Sequence, residues 1–137
     1  MTKEDKKLLL RDLSARLCYG VKGIITYDKS NITFTVEGID NNVLHLSDSE
    51  ECYVEDFKLY LRQMSSMTEE EKKEIPILLN YEFYIDDDYA LVAEDDRHRI
   101  RLDLMQIYIN WLNAHHFDYR GLIEKGLALE APKDMYE

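Results

Sequence analysis

Apolar and polar positions change period several times along this 137-residue chain, and each change marks a different element. Near the start, Leu9, Leu10, Leu13 and Leu17 recur at helical spacing, Thr2 and Asp5 stand three apart as in a capping box, and Gly20 stops the run. A helix over roughly residues 3–17 is predicted. From Lys22 the period falls to two: Ile32, Phe34 and Val36 alternate with Thr33, Thr35 and Glu37, the pattern of a strand with one buried face. GIITY at 23–27 precedes it across the turn-forming DKSN, and Asp40-Asn41-Asn42 gives a second tight turn into VLHL at 43–46. These three segments predict an antiparallel β-meander.

After SDSEE, Val54, Phe57, Leu61 and Met64 return to helical spacing. Glu50, Glu51, Glu55 and Asp56 lie toward the N-terminal end, where the helix dipole favours negative charge, so a helix ending near Gln63 is expected. Thr68 and Glu71 form a second capping box, opening a helix that Pro76 shortens or kinks. NYEFYI at 80–85 and YALVAE at 89–94 have strand content and are split by Asp86, Asp87 and Asp88, which predicts a β-hairpin, and RHRIRL at 97–102 alternates again. Asp103 then reads as an N-cap with Gln106 at N3, and Leu104, Ile107, Tyr108, Trp111, Leu112 and His115 share one helical face. Asp118 is placed to cap a last helix over 119–125, which Gly126 can end in the left-handed region. No repeat or linker divides the chain. The expected fold is a single α+β domain over residues 1–137: N-terminal helix, antiparallel β-meander, two central helices, β-hairpin and C-terminal helix pair.

Composition adds limits. The chain is 45% hydrophobic and 33% charged, which suits a folded core. MTKEDKKLLLRDL is a charged helix rather than a signal sequence, and no apolar run nears the ~18 residues that span a bilayer, so a cytoplasmic protein with no membrane association is expected. Cys18 and Cys52 lack the spacing of a zinc or redox site, and both are expected to be reduced. The net charge of −11 is unevenly spread: residues 48–96 hold sixteen Asp and Glu against four Lys and Arg. Such a surface repels phosphates, so nucleic acid is not an expected ligand and a charged partner should be a basic protein surface.

Three constellations invite chemistry. The acids Asp86, Asp87 and Asp88, with Glu94, Asp95 and Asp96 eight residues on, fail as a calcium loop, because counting from Asp86 puts Leu91 at position six and Arg97 at twelve. With Tyr81, Tyr84 and Tyr89 interleaved among them, they define a candidate protein-binding face. The stretch WLNAHHFDYRGLIEKGLALEAP carries His115, His116, Asp118 and Arg120, an alternative site in which one imidazole acts as a general base oriented by Asp118 while Arg120 holds an anion, in a small hydrolase or transferase. The architectural reading is that the histidines sit at a helix C-terminus, where a cation is stabilised; adjacent histidines also point about 100° apart and cannot jointly bind one metal. No nucleophile elbow, phosphate loop or cofactor motif accompanies them, so no cofactor, metal or catalytic residue is assigned. A structural homodimer is the third alternative, with monomer and homodimer both open.

MTKEDKKLLLRDLSARLCYGVKG, MSSMTEEEKKE and WLNAHHFDYRGLIEKGLALEAP together resemble segments shared by a family of small proteins of gut Bacteroides and related bacteria, in which the stretches corresponding to 24–58 and 75–103 vary. The resemblance implies bacterial, mobile-element surroundings. It brings no activity, cofactor or site residue with it.

Overall fold

A computed structural model describes residues 1–78, 83–93 and 102–136. Helix α1 spans Lys3–Arg16 and begins where local chemistry dictates. The Thr2 hydroxyl accepts from the Asp5 amide at 3.0 Å, and the Asp5 carboxylate accepts from the Thr2 amide at 3.4 Å. A 3-10 turn, Leu17–Tyr19, then ends at Gly20 with φ 70°, a conformation glycine adopts without steric penalty. Helix α1 buries Leu9 and Leu13 on the sheet, together with two charged residues, Asp12 and Arg16.

Among the described residues the main sheet comprises β1 (Lys22–Ile25), β2 (Phe34–Asp40), β3 (Val43–Leu46), β4 (Glu51–Tyr53), β5 (Phe57–Leu61) and, far along the chain, β8 (Ala128–Glu130). Their order across the sheet is β4-β3-β2-β1-β5-β8. Neighbouring pairs are antiparallel except β5 and β8, which run parallel, with Leu59 opposite Ala128. Strands β1, β2 and β3 pair in succession, but within a larger mixed sheet rather than as a separate meander. Gly23 sits where β1 meets β5: a Cβ there would collide with the Lys58 carbonyl and the Phe57 ring, so the close approach of the two strands requires glycine.

The first central helix is not formed. Its residues make β4, a 3-10 turn at Val54–Asp56 and β5. FKLYL carries apolar residues at period two as well as at helical spacing, and pairing with β1 selects the strand, burying Phe57, Leu59 and Leu61 on one face. One central helix remains: α2, Glu69–Leu78, opens with the expected box, Glu71 amide to Thr68 hydroxyl at 3.1 Å and Thr68 amide to Glu71 carboxylate at 3.0 Å, and runs two residues past Pro76. Strands β6 (Phe83–Ile85) and β7 (Leu91–Ala93) form the antiparallel hairpin. The expected alternation at 97–101 lies outside the described residues.

Helix α3 spans Leu102–Ala114. The C-terminal helix pair is likewise not formed, because residues 122–126 make a single turn. Its Schellman closure, Leu127 amide to Leu122 carbonyl at 2.9 Å and Gly126 amide to Ile123 carbonyl at 3.0 Å with Gly126 at φ 76°, stops a helix before a second turn can follow.

Two apolar cores result. One lies between α1 and the sheet, with Leu9, Leu13, Val36, Phe57 and Leu59 at its centre. The other joins α2, the hairpin and α3 around Ile75, Phe83, Trp111 and Phe117. Arg62, just past β5, lies over the Phe117 ring at 4.1 Å and links the two.

Candidate functional site

The His-His stretch is first of all a helix end. His116 occupies the left-handed position after α3 (φ 62°), its amide donating to the Asn113 carbonyl at 3.0 Å while the Phe117 amide donates to the Leu112 carbonyl at 2.9 Å, a second Schellman closure. The chain then runs beside Arg62, whose amide donates to the His116 carbonyl at 2.7 Å and whose carbonyl accepts from the Asp118 amide at 2.8 Å. The Asp118 carboxylate accepts from the amides of Leu122 and Ile123 at 2.8 and 2.9 Å, which is a capping role. Arg120 does hold an anion, but an internal one. Its Nη1 lies 2.6 Å from the carboxylate of buried Asp12, which also accepts from Arg16 Nε at 2.9 Å. Arg16 Nη2 in turn donates to the Phe117 carbonyl at 2.6 Å. His115, His116, Asp118 and Arg120 are therefore adjacent in sequence yet committed to four different sets of partners.

The two imidazoles diverge. His116 is buried and stacks on Tyr136, ring centroids 3.6 Å apart. Burial, then the positive charge of Arg16, His115, Arg62 and Lys22, pushes its pKa down to about 4. The expectation of a cation stabilised at the helix end fails at this position, because desolvation and neighbouring cations outweigh the dipole. His115 packs on Trp111 with ring centroids 4.3 Å apart, its Nδ1 3.5 Å from Glu71 and its Nε2 3.6 Å from Glu74. Glu74 also accepts from Trp111 Nε1 at 2.8 Å. Glu71 receives both arms of the Arg62 guanidinium, at 2.7 and 2.8 Å. Burial pushes the Glu71 pKa up, but the Arg62 fork and the Thr68 amide outweigh it and hold the carboxyl down at about 2.

This ion chain forms one wall of a cleft of about 500 Å³, a volume in the range of small-ligand sites. Arg62, Ser66, Thr68, Glu71 and His115 line one side, and the segment from Glu130 to Tyr136 lines the other. Sequence reasoning missed Arg62, Glu71 and Tyr136 as neighbours of the histidines. The capping box located Glu71 at a helix start, but no local signal brings it to Arg62 or brings Tyr136 to His116.

Those candidate protein-binding residues that are described lie in the hairpin. Residues 86–89 turn tightly, the Tyr89 amide donating to the Asp86 carbonyl at 3.0 Å with Tyr89 at φ 64°. One Asp86 oxygen accepts from the amides of Asp88 and Ala90, both at 2.9 Å, while the Asp87 and Asp88 side chains are exposed. Tyr84 is exposed on β6, and the Tyr89 ring lies 5.2 Å from the Lys72 ammonium of α2. Tyr81, Glu94, Asp95 and Asp96 fall outside the described residues.

Among the described residues, no group of three or more His, Cys, Asp or Glu is disposed to hold a metal ion, and no helix is long and apolar enough to cross a membrane. Cys18 and Cys52 are both free, and burial followed by the negative charge of Asp56 and Glu55 pushes the Cys52 thiol up to about 11. No family model, curated protein or solved structure matches the chain.

Proposed function

We propose that the protein is a non-enzymatic binding module, in which the acidic hairpin and the first turn of α2 meet a basic surface on a protein partner. The observation that carries this reading is the construction of the hairpin tip. Asp86 spends its carboxylate on the turn, which fixes the backbone and projects Asp87 and Asp88 into solvent as a preorganised pair of charges. Lys72 spans from Glu69, 4.0 Å away, to the Tyr89 ring, so the exposed acids of the first turn of α2, Glu69 and Glu70, stand next to that tip. Tyr84 adds exposed aromatic area on the same hairpin. The catalytic alternative gains little from the geometry: Asp118 is turned to backbone amides, Arg120 to Asp12, and both ring nitrogens of His115 face carboxylates of α2.

The test is a double charge reversal, Asp87→Lys with Asp88→Lys, sparing Asp86 so that the turn survives. Immobilised wild-type protein is expected to retain a basic protein from a cell lysate in low salt and release it as ionic strength rises, with the variant binding at least ~10-fold more weakly. Equal retention by wild type and variant would remove the reading.

A further inference from the structure

Residues 131–136 cross the end of β5 as a strap and do two things at once. They supply a wall of the cleft, and they carry Tyr136 into a slot beside β1. Where the β1–β5 ladder passes Gly23 and Leu59, the Tyr136 hydroxyl replaces a direct backbone bond: it accepts from the Lys22 amide at 2.9 Å and donates to the Tyr60 carbonyl at 2.7 Å. The ring lies nearly parallel to His116, the planes 15° apart. At the other end of the strap the Ala131 amide donates to the Leu61 carbonyl at 2.7 Å.

His116 makes this fastening conditional. The residue is 5% exposed, and Nδ1 has no hydrogen-bond partner among the described residues. Positive charge reaches it from several elements: Arg16 of α1, His115 beside it, Arg62 beyond β5 and Lys22 of β1. The carboxylates of these elements are committed, Asp12 to Arg16 and Arg120, Glu71 to Arg62, and Asp118 to the amides of Leu122 and Ile123. A proton on His116 would create a buried cation among cations. Stacking on the Tyr136 face offers it about 0.5–2 kcal/mol, whereas leaving a buried charge without a compensating partner costs several kcal/mol, so desolvation wins. Tyr136 covers one face of the imidazole, so lifting it away exposes the ring to water.

We propose that residues 131–136 are an acid-released latch: protonation of His116 frees Tyr136, the strap leaves the end of β5, and the cleft opens. The sign follows from the two proton affinities. Latched His116 binds its proton with a pKa of about 4, below the 6.5 of a free imidazole, and hydrating the ring relieves the burial that is the main cause, so the open form takes the proton first and gains weight as pH falls toward 4. Each pH unit by which opening relieves that depression corresponds to about a 10-fold change in the latched-to-open ratio.

Amide hydrogen exchange of the full chain between pH 7 and pH 4, corrected for intrinsic rates and resolved by NMR, reads this directly. Protection of the Ala131 and Lys22 amides should fall by about 10-fold or more along the His116 ring titration, while β2 and β3 amides stay protected. His116→Phe keeps a stacking ring that cannot be protonated and should hold the strap closed throughout. Tyr136→Phe should loosen it already at pH 7. Strap protection that is constant with pH, that is lost together with β2 and β3, or that falls equally in His116→Phe would overturn the proposal, and the wild-type comparison decides it even if a variant does not fold.

Discussion

Asp12 and Arg16 are fully buried, and Arg120 closes on the same carboxylate from the C-terminal segment 108 positions away. Both guanidinium groups also flank the Tyr119 ring, at 5.4 and 4.7 Å. A buried ion pair of this kind adds little net stability over an apolar pair, but leaving half of it costs about 3–5 kcal/mol. Asp12→Leu alone, which strands Arg16 in the interior, should therefore destabilise the protein by that amount in urea unfolding. Asp12→Leu combined with Arg16→Met should cost less than the single change, and a strictly additive pair would contradict the account. Cys52 illustrates a quieter residue-scale consequence: a thiol held near 11 stays protonated at neutral pH, while exposed Cys18 should react first with a thiol reagent.

Elements differ in what makes them obligatory. Gly23 is needed for space, since a methyl would strike backbone and ring atoms of β5. Gly126 is needed for conformation, since its surroundings are open and its φ is 76°. Gly126→Ala should accordingly cost only about 1–2 kcal/mol, the usual left-handed penalty, whereas Gly23→Ala must separate two strands and should cost roughly 3 kcal/mol or more. Thermal unfolding of the two variants checks the ranking. The same comparison shows what could be read in advance. The two Thr-initiated helix starts and the Gly126 terminator were legible because each is local, satisfied within a few residues. FKLYL was not, since Val54, Phe57 and Leu61 fit one period and Phe57, Leu59 and Leu61 the other, and the choice is made by β1, more than thirty residues earlier in the chain. The candidate site followed the same rule: Asp118 as a cap was visible, while the burial of His116 depends on Arg62 and Tyr136, which only the tertiary fold brings near.

For the whole molecule, His116 and Glu71 act in separate pH windows. His116 is held below its unfolded value of 6.5, so the unfolded chain binds the extra proton and stability falls between about pH 6.5 and 4. Glu71 is held at about 2, so its contribution is intact above about 4.5 and is lost as pH falls toward 2. Wild type should lose stability relative to His116→Phe by up to about 1.4 kcal/mol per pH unit within the first window, and the two should run parallel above pH 7. A constant offset between their denaturation curves from pH 7 to 4.5 would refute the assignment.

The parallel pairing of β8 with β5, and the reach of Tyr136 back to Lys22 across 114 positions, carry a kinetic consequence. During synthesis on the ribosome, residues 1–61 emerge with five of the six strands while the sixth is still unmade, so β5 must wait with one edge unpaired. Such long-range closure is slow and leaves a strand edge available to other chains. Slower translation through the last third of the message should then lengthen the time for which that edge stands open to other chains.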